Sequence, residues 1–283
     1  PIHGASGDLD GAIDWVIRVL ESQSSYDYPF GQVELTSATA HPLPDDSSDM
    51  FFTDPPYYDA VPYADLSDFF YTQLKRMLAS FHPDMFSNEV TPKQVEVVQL
   101  AERNIKYAYK TREYFEENMK KALSEGRRFL KANGIGVVVF AHKTAEGWEA
   151  MLSSLIDAGW IATASWPIDT ERAVRIRAHE SAALGSSIHL VCRPRETADG
   201  ELLERIGDWR DLLAALPPRI HAWLPRLAQE GVVGADAIFA CLGPALEIFS
   251  RYSRVEKASG EQVTLKEYLE VVWAEVARQA LGM

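Results

Sequence analysis

An acid, two prolines and a tyrosine stand together at Asp54-Pro55-Pro56-Tyr57, directly after the short apolar run Met50-Phe51-Phe52-Thr53. The run reads as a strand, which places the four residues at its C-terminal end. Such a set can grip an amino group carried on an aromatic ring. The acid and a proline carbonyl accept hydrogen bonds from the amine, neither proline has an N–H to compete, and each has its φ fixed. The tyrosine stacks on the ring. When the amine nitrogen attacks an electrophile, its lone pair leaves conjugation with the ring. Acceptors at Asp54 and at the Pro55 carbonyl favour that rehybridised nitrogen and so stabilise the transition state. The bland alternative is a rigid turn with a capping acid.

Residues around this set divide between chemistry and structure. Tyr58 fits base contact and core packing equally. Tyr63, with Asp59 and Asp65, either lines a pocket or caps the following helix. Lys143 closes Phe140-Ala-His-Lys143 and either reaches a phosphate or is a solvated strand end. His142 has no nucleophile beside it in sequence and reads as structural. Trp166 and Pro167 form a pocket wall or pack in the core. Between Met85 and Asn133 there are ten basic and seven acidic residues, with Tyr107, Tyr109 and Tyr114 interleaved. That is a weak nucleic-acid signal; a solvated helix face with paired charges explains it slightly better. Arg172, Arg175 and Arg177 make a second small basic cluster on an expected loop.

The elements that must position these residues follow from periodicity. Asp8 to Gln23 reads as an amphipathic helix, with Ile13, Val16, Ile17 and Leu20 at helical spacing. Gln32 to Thr36 reads as a short strand, Pro42 to Ser48 as a polar turn, and Asp65 to Phe81 as a helix with Leu66, Phe69, Phe70, Leu74 and Leu78 on its apolar face. Thr91 to Lys131 reads as long and helical with a break or two, ended by Gly134. The run Gly136 to Ala141 suits a buried parallel strand. A helix over Ala145–Ala158, strands over Ile161–Trp166 and Ser187–Cys192, and an intervening loop complete the first part, residues 1–196. From 197 to 283 the chain reads as helical: Gly200–Leu216, a break at Pro217-Pro218, Ile220–Gln229, Gly234–Ser250 and Thr264–Leu281.

The stretch from Ser37 to Phe70, with Asp54-Pro-Pro-Tyr-Tyr-Asp59 and Val61-Pro-Tyr-Ala-Asp-Leu-Ser-Asp-Phe-Phe70, closely resembles the large adenine-specific DNA methylases that carry an N-terminal domain of unknown function and, in many members, a zinc ribbon. Gly136-Val-Val-Val-Phe-Ala-His-Lys143, Ala164-Ser-Trp-Pro-Ile-Asp169, Ser186-Ser-Ile-His-Leu-Val-Cys-Arg-Pro194 and Ser250-Arg-Tyr-Ser-Arg-Val-Glu-Lys257 extend the resemblance over nearly the whole chain. It implies an α/β fold, the second half of a Rossmann-like class I methyltransferase sheet, with a helical insertion at 85–133. It implies transfer of a methyl group from S-adenosylmethionine to the exocyclic amine of a flipped base, adenine N6 in the first place. Asp54, Pro55, Pro56 and Tyr57 would be catalytic. Ser37, Ala38, Thr39 and Asp54 would meet the cofactor; Tyr57, Tyr58, Tyr63, Lys143 and Trp166 would meet the substrate. The motif itself leaves cytosine N4 and RNA open.

The family's Phe-x-Gly-x-Gly loop and ribose-binding acid have no counterpart in this sequence. The early glycines Gly4, Gly7, Gly11 and Gly31 do not follow an apolar strand. The resemblance therefore implies a C-terminal portion of a longer protein, lacking the strand beside the motif strand. An exposed sheet edge is expected, to be covered by the missing N-terminal portion, a partner chain or a homodimer mate. The competing expectation is a cofactor-incompetent module for binding or assembly. The chain of 283 residues is 47% hydrophobic, with a net charge of −13. This can bury a sizeable core but argues against tight DNA binding by these residues alone. The longest apolar runs are too short for a membrane span. Cys192 and Cys241 support neither a disulfide framework nor a zinc site, and a cytoplasmic location is the default expectation.

Overall fold

The computed structural model describes residues 8–29, 31–59, 61–142, 144–169, 186–197, 199–232 and 235–281. Two units make up the chain, Pro1–Thr36 and Ser37–Met283. In the first, helix α1 (Leu9–Ser24) starts at Asp8, whose carboxylate accepts the Gly11 N–H at 2.8 Å. Its apolar stripe of Ile13, Val16, Ile17 and Leu20 is exposed. The strand expected at Gln32–Thr36 is instead irregular, with Val33 and Leu35 in solvent. A strand needs a neighbour to pair its N–H and C=O groups, and this segment has none there.

The second unit is mixed α/β. Strands β1 (Ser48–Thr53), β2 (Leu130–Phe140), β3 (Trp160–Asp169) and β4 (Ser186–Pro194) form one sheet in the order β1-β2-β4-β3. β1 runs parallel to β2, with Phe52 opposite Val137 and Thr53 opposite Val138. β4 is antiparallel to both β2 and β3. β1 is thus an edge strand among the described residues. Side chains alternate across it. Phe51 points into the core against Trp160 and Phe129, each ring 5.7 Å away. Met50 and Phe52 point to the other face and are more than half exposed.

Helix α2 (Tyr63–Leu78) follows β1, and α3 (Arg112–Phe129) leads directly into β2. α3 begins at Thr111, whose hydroxyl accepts the Tyr114 N–H, and it buries Phe115, Met119, Leu123, Gly126 and Phe129 at helical spacing. Gly126 matters because a Cβ there would lie 2.6 Å from the Phe51 ring. α4 (Ala145–Asp157) packs beside α3 on the same face. Strand β5 (Ile206–Asp208) then leads into α5 (Trp209–Gln229), followed by α6 (Ala235–Ala240), α7 (Leu242–Ser250), strand β6 (Arg254–Glu256, parallel to β5) and α8 (Leu265–Leu281). One hydrophobic core runs from Tyr58 through the sheet to Val276. Cys192 and Cys241 are buried free thiols, and burial pushes the Cys241 thiol up to about 11. Among the described residues no helix is long and apolar enough to cross a membrane.

Four further expectations need correction. The helix expected from Gly200 starts only at Trp209, after strand β5. The long helix over Thr91–Lys131 exists only from Arg112; residues 91–111 are irregular apart from the 3₁₀ turn Ile105–Tyr107. Their backbone pairs locally and over distance instead: Gln99 N–H donates to the Tyr58 carbonyl, and Leu100 and Ala101 N–H donate to the Lys110 carbonyl. The break at Pro217-Pro218 is absent, and α5 runs through both prolines. Its buried stripe Leu212, Leu216, Ile220, Leu224 and Leu227 holds both halves on one core, and Gln279 donates to the Pro217 carbonyl at 3.0 Å. Helix α2 does not bury the face expected of it: Leu66, Phe69, Phe70 and Leu74 are exposed, and only Ala64 is fully buried.

Candidate active site

β1 ends at Thr53 and presents Asp54, exposed, at its carboxyl end. Pro55 is buried behind it and Pro56 and Tyr57 are half-buried. The Tyr57 ring stands edge-on to Phe140, centroids 5.5 Å apart at 71°. Phe140 closes β2, which runs parallel to β1, so both strands deliver their ends to the same side of the sheet.

Tyr58 turns the chain inward. Its φ is +51°, a left-handed backbone that costs a bulky residue on the order of 1–3 kcal/mol. Burial of the side chain, worth roughly 1.5–3 kcal/mol for a large apolar body, offsets this. The ring meets Phe115 and His142 edge-on at 5.2 and 5.6 Å, and its hydroxyl donates to Glu146 at 3.0 Å. Burial and the Glu146 carboxylate hold the phenol well above its ordinary value. Tyr58 is therefore a core residue, and Tyr57 packs half-buried against the same core.

Tyr63 opens α2 close to the motif. Burial and the nearby Asp54 carboxylate raise its phenol above the usual range. Asp54 and Tyr63 thus lie close enough to share one electrostatic environment. Pro62 gives α2 no side-chain cap; the Glu96 carboxylate accepts the Ala64 N–H at 2.8 Å instead. Glu96 in turn meets the fully buried Lys110 ammonium at 3.4 Å. Lys93, Thr91 and Asp68 make a second clamp on α2, with Lys93 Nζ 2.7 Å from Asp68. Asp65 caps nothing and accepts the Tyr107 hydroxyl at 2.9 Å; burial and that carboxylate push the Tyr107 phenol up to about 12.

Other expected site residues lie apart. Ser37 and Thr39 share a hydroxyl contact at 2.9 Å in an exposed turn with Ala38. The chain just after them is anchored near the start of β1, where His41 accepts from Arg128 and packs on Phe129. Trp166 sits on β3, at the other edge of the sheet from β1, against Trp223 at 6.1 Å. Lys143 and the Arg172, Arg175, Arg177 cluster lie outside the described residues. In the segment 85–133, nine of the ten basic residues face carboxylates: Lys93, Arg103, Lys110, Arg112, Lys120, Lys121, Arg127, Arg128 and Lys131. Their charge is paired within the chain. A cleft of about 300 Å³, lined among others by Arg112, Glu146, Glu149, Glu270 and Trp273, includes none of the motif residues.

Sequence reasoning counted Glu96 and Lys110 only among the charges of the 85–133 segment, passed over Glu146, and read His142 as more often structural than catalytic. The Thr144 cap of α4 is a recognisable signal ahead of a helix. Nothing in the sequence pairs Glu96 with Ala64, or His142 with a residue 83 positions earlier. No protein-family model matches the chain, and no curated protein matches it.

Proposed function

We propose that this chain carries the amine-binding half of an S-adenosylmethionine-dependent methyltransferase acting on the exocyclic amine of a flipped nucleobase, adenine N6 in DNA before cytosine N4 or RNA. The observation that carries the reading is the placement of Asp54 at the carboxyl end of a strand in an open α/β sheet, the side where such sheets bind ligands. The parallel β1–β2 pair, linked through α2 and α3, supports the finer reading of a half Rossmann-like sheet. The resemblance around Asp54–Phe70 supports the choice of adenine.

In this reading Asp54 and the Pro55 carbonyl accept from the amine and favour its rehybridised form. Tyr57, braced edge-on by Phe140, offers its face to the base. Stacking of about 1–3 kcal/mol recovers part of the cost of extruding the base. The cofactor would supply the electrophilic methyl group. The residues around Asp54 fit the amine but do not fit the cofactor: Asp54 faces solvent at an open edge, and Ser37–Thr39 lead away to the start of β1.

The exposed edge and the exposed apolar side of α2 favour a second reading, an assembly module without cofactor binding. Tritium transfer from labelled S-adenosylmethionine to DNA, RNA and protein pools, using the protein in its full encoded length, separates the two. Label is expected in DNA adenine, and Asp54→Ala is expected to lower the rate at least about a hundredfold with the melting temperature kept. Near-wild-type turnover in Asp54→Ala sinks the mechanism. Absence of transfer to any pool favours assembly.

A further inference from the structure

The loop between β1 and α2 carries the motif on one side and a single buried imidazole braces it from the other. His142 lies two residues beyond the end of β2 and is 9% exposed. Its Nε2 is 2.8 Å from an Asp59 carboxylate oxygen, five residues after Asp54. The other Asp59 oxygen is 3.7 Å from Arg103. At the opposite ring nitrogen, Nδ1, the Thr144 backbone N–H donates at 3.2 Å. The Thr144 carbonyl lies farther from Nδ1, at 3.5 Å, and a backbone N–H can only donate, so the shorter contact favours a bare Nδ1 and a proton on Nε2. The Thr144 hydroxyl agrees with this: its oxygen accepts the Gly147 N–H as the cap of α4, leaving its proton to donate to Nδ1 at 3.0 Å.

The ring is also held in position. Trp148 Nε1 donates to the His142 carbonyl at 2.9 Å. The first turn of α4 presses on the ring so closely that a Cβ on Gly147 would lie 2.1 Å from Nδ1. The imidazole lies nearly parallel to Phe140, centroids 6.2 Å apart, and edge-on to Tyr58. Phe140 is the ring that braces Tyr57. One imidazole therefore touches both the aromatic beneath the motif tyrosine and the carboxylate that follows the motif.

We propose that neutral His142, protonated on Nε2, is a positioning residue that ties the Asp54–Tyr57 loop to the end of β2 and the cap of α4 through Asp59. The catalytic consequence rests on the amine-methylation reading; the tether itself does not. Nitrogen-15 NMR of the imidazole and hydrogen exchange of the loop test the tether without any activity. The expected spectrum shows a protonated Nε2 and a bare Nδ1. Asp59→Ala should speed amide exchange at Tyr57, Tyr58 and Tyr63 with the melting temperature unchanged. A proton on Nδ1, or exchange unchanged in Asp59→Ala, overturns the proposal. If methyl transfer is found, His142→Gln, whose amide can still donate to Asp59, should keep kcat within about threefold. His142→Leu and Asp59→Ala should lower kcat about ten- to a hundredfold, the scale for small misplacements at a reacting centre. Equal kcat in all three variants also overturns it. Failure of methyl transfer in the wild-type protein, with the NMR and exchange results as expected, leaves the tether standing and removes only the methylation reading.

Discussion

Tyr57 is the residue on which stacking and packing meet. Its ring has Phe140 at its side and solvent-facing Asp54 before it in sequence, and in the proposed reading the ring rather than the hydroxyl meets the base. Tyr57→Phe keeps that ring and Tyr57→Ala removes it together with the contact on Phe140. The expected outcome is substantial methyl transfer in the first and a loss of at least about tenfold in the second, matching the roughly 1–3 kcal/mol of stacking at stake. Equal damage in both would assign the work to the hydroxyl. Tyr58, next in the chain, is buried in the core with a positive φ and bonds to Glu146.

At the level of elements, α2 depends on charged clamps more than on burial. Its one fully buried residue is Ala64, so the polar contacts from the 91–110 segment carry its docking. Hydrogen bonds from Lys93 and Thr91 hold the Asp68 carboxyl down at about 2, from an ordinary value of 3.8. A carboxyl depressed in the folded state stabilises the fold above its unfolded value and ceases to do so as pH falls through the folded one. The clamp is therefore intact above about pH 4 and is lost progressively toward pH 2. Denaturant midpoints measured from pH 5 to pH 2 should fall across that window, and Asp68→Asn should make the profile flatter. An unchanged profile in that variant would place the acid sensitivity elsewhere.

At the scale of the whole molecule, large apolar side chains are left open both on the edge strand β1 and on α2. Met50 and Phe52 on the edge strand are exposed by 56% and 57%, and Phe69 and Phe70 on α2 by 70% and 65%. Exposed apolar groups of this size promote association, and an unpaired strand edge adds a template for it. The chain should self-associate with rising concentration, and Phe69→Ser with Phe70→Ser should reduce light scattering without lowering the melting temperature. Scattering unchanged by the double substitution would show that α2 takes no part. The net charge of −13 opposes association and makes it salt-dependent.

Sequence by itself placed what local pattern controls. Met50–Thr53 reads as a strand from its apolar run and the prolines that stop it, and the motif falls at its end as read. The helix at Ala145–Asp157 and strands β3 and β4 follow from periodicity and flanking turns, within a few residues. Tertiary structure decided the rest, wherever long-range contacts outweighed local preference. Residues 91–111 have helical composition, yet Val98 and Leu100 are fully buried in an irregular chain whose amides are satisfied by Tyr58 and Lys110. Two consecutive prolines signal a break, yet the buried leucines of α5 hold the helix straight through them. The edge position of β1 is a property of the sheet order and not of its residues. The bond from His142 to Asp59 joins positions 83 apart, and the Thr144 amide reaches the other ring nitrogen. Spacing along a chain carries no trace of such a contact, because folding alone brings the two groups within reach.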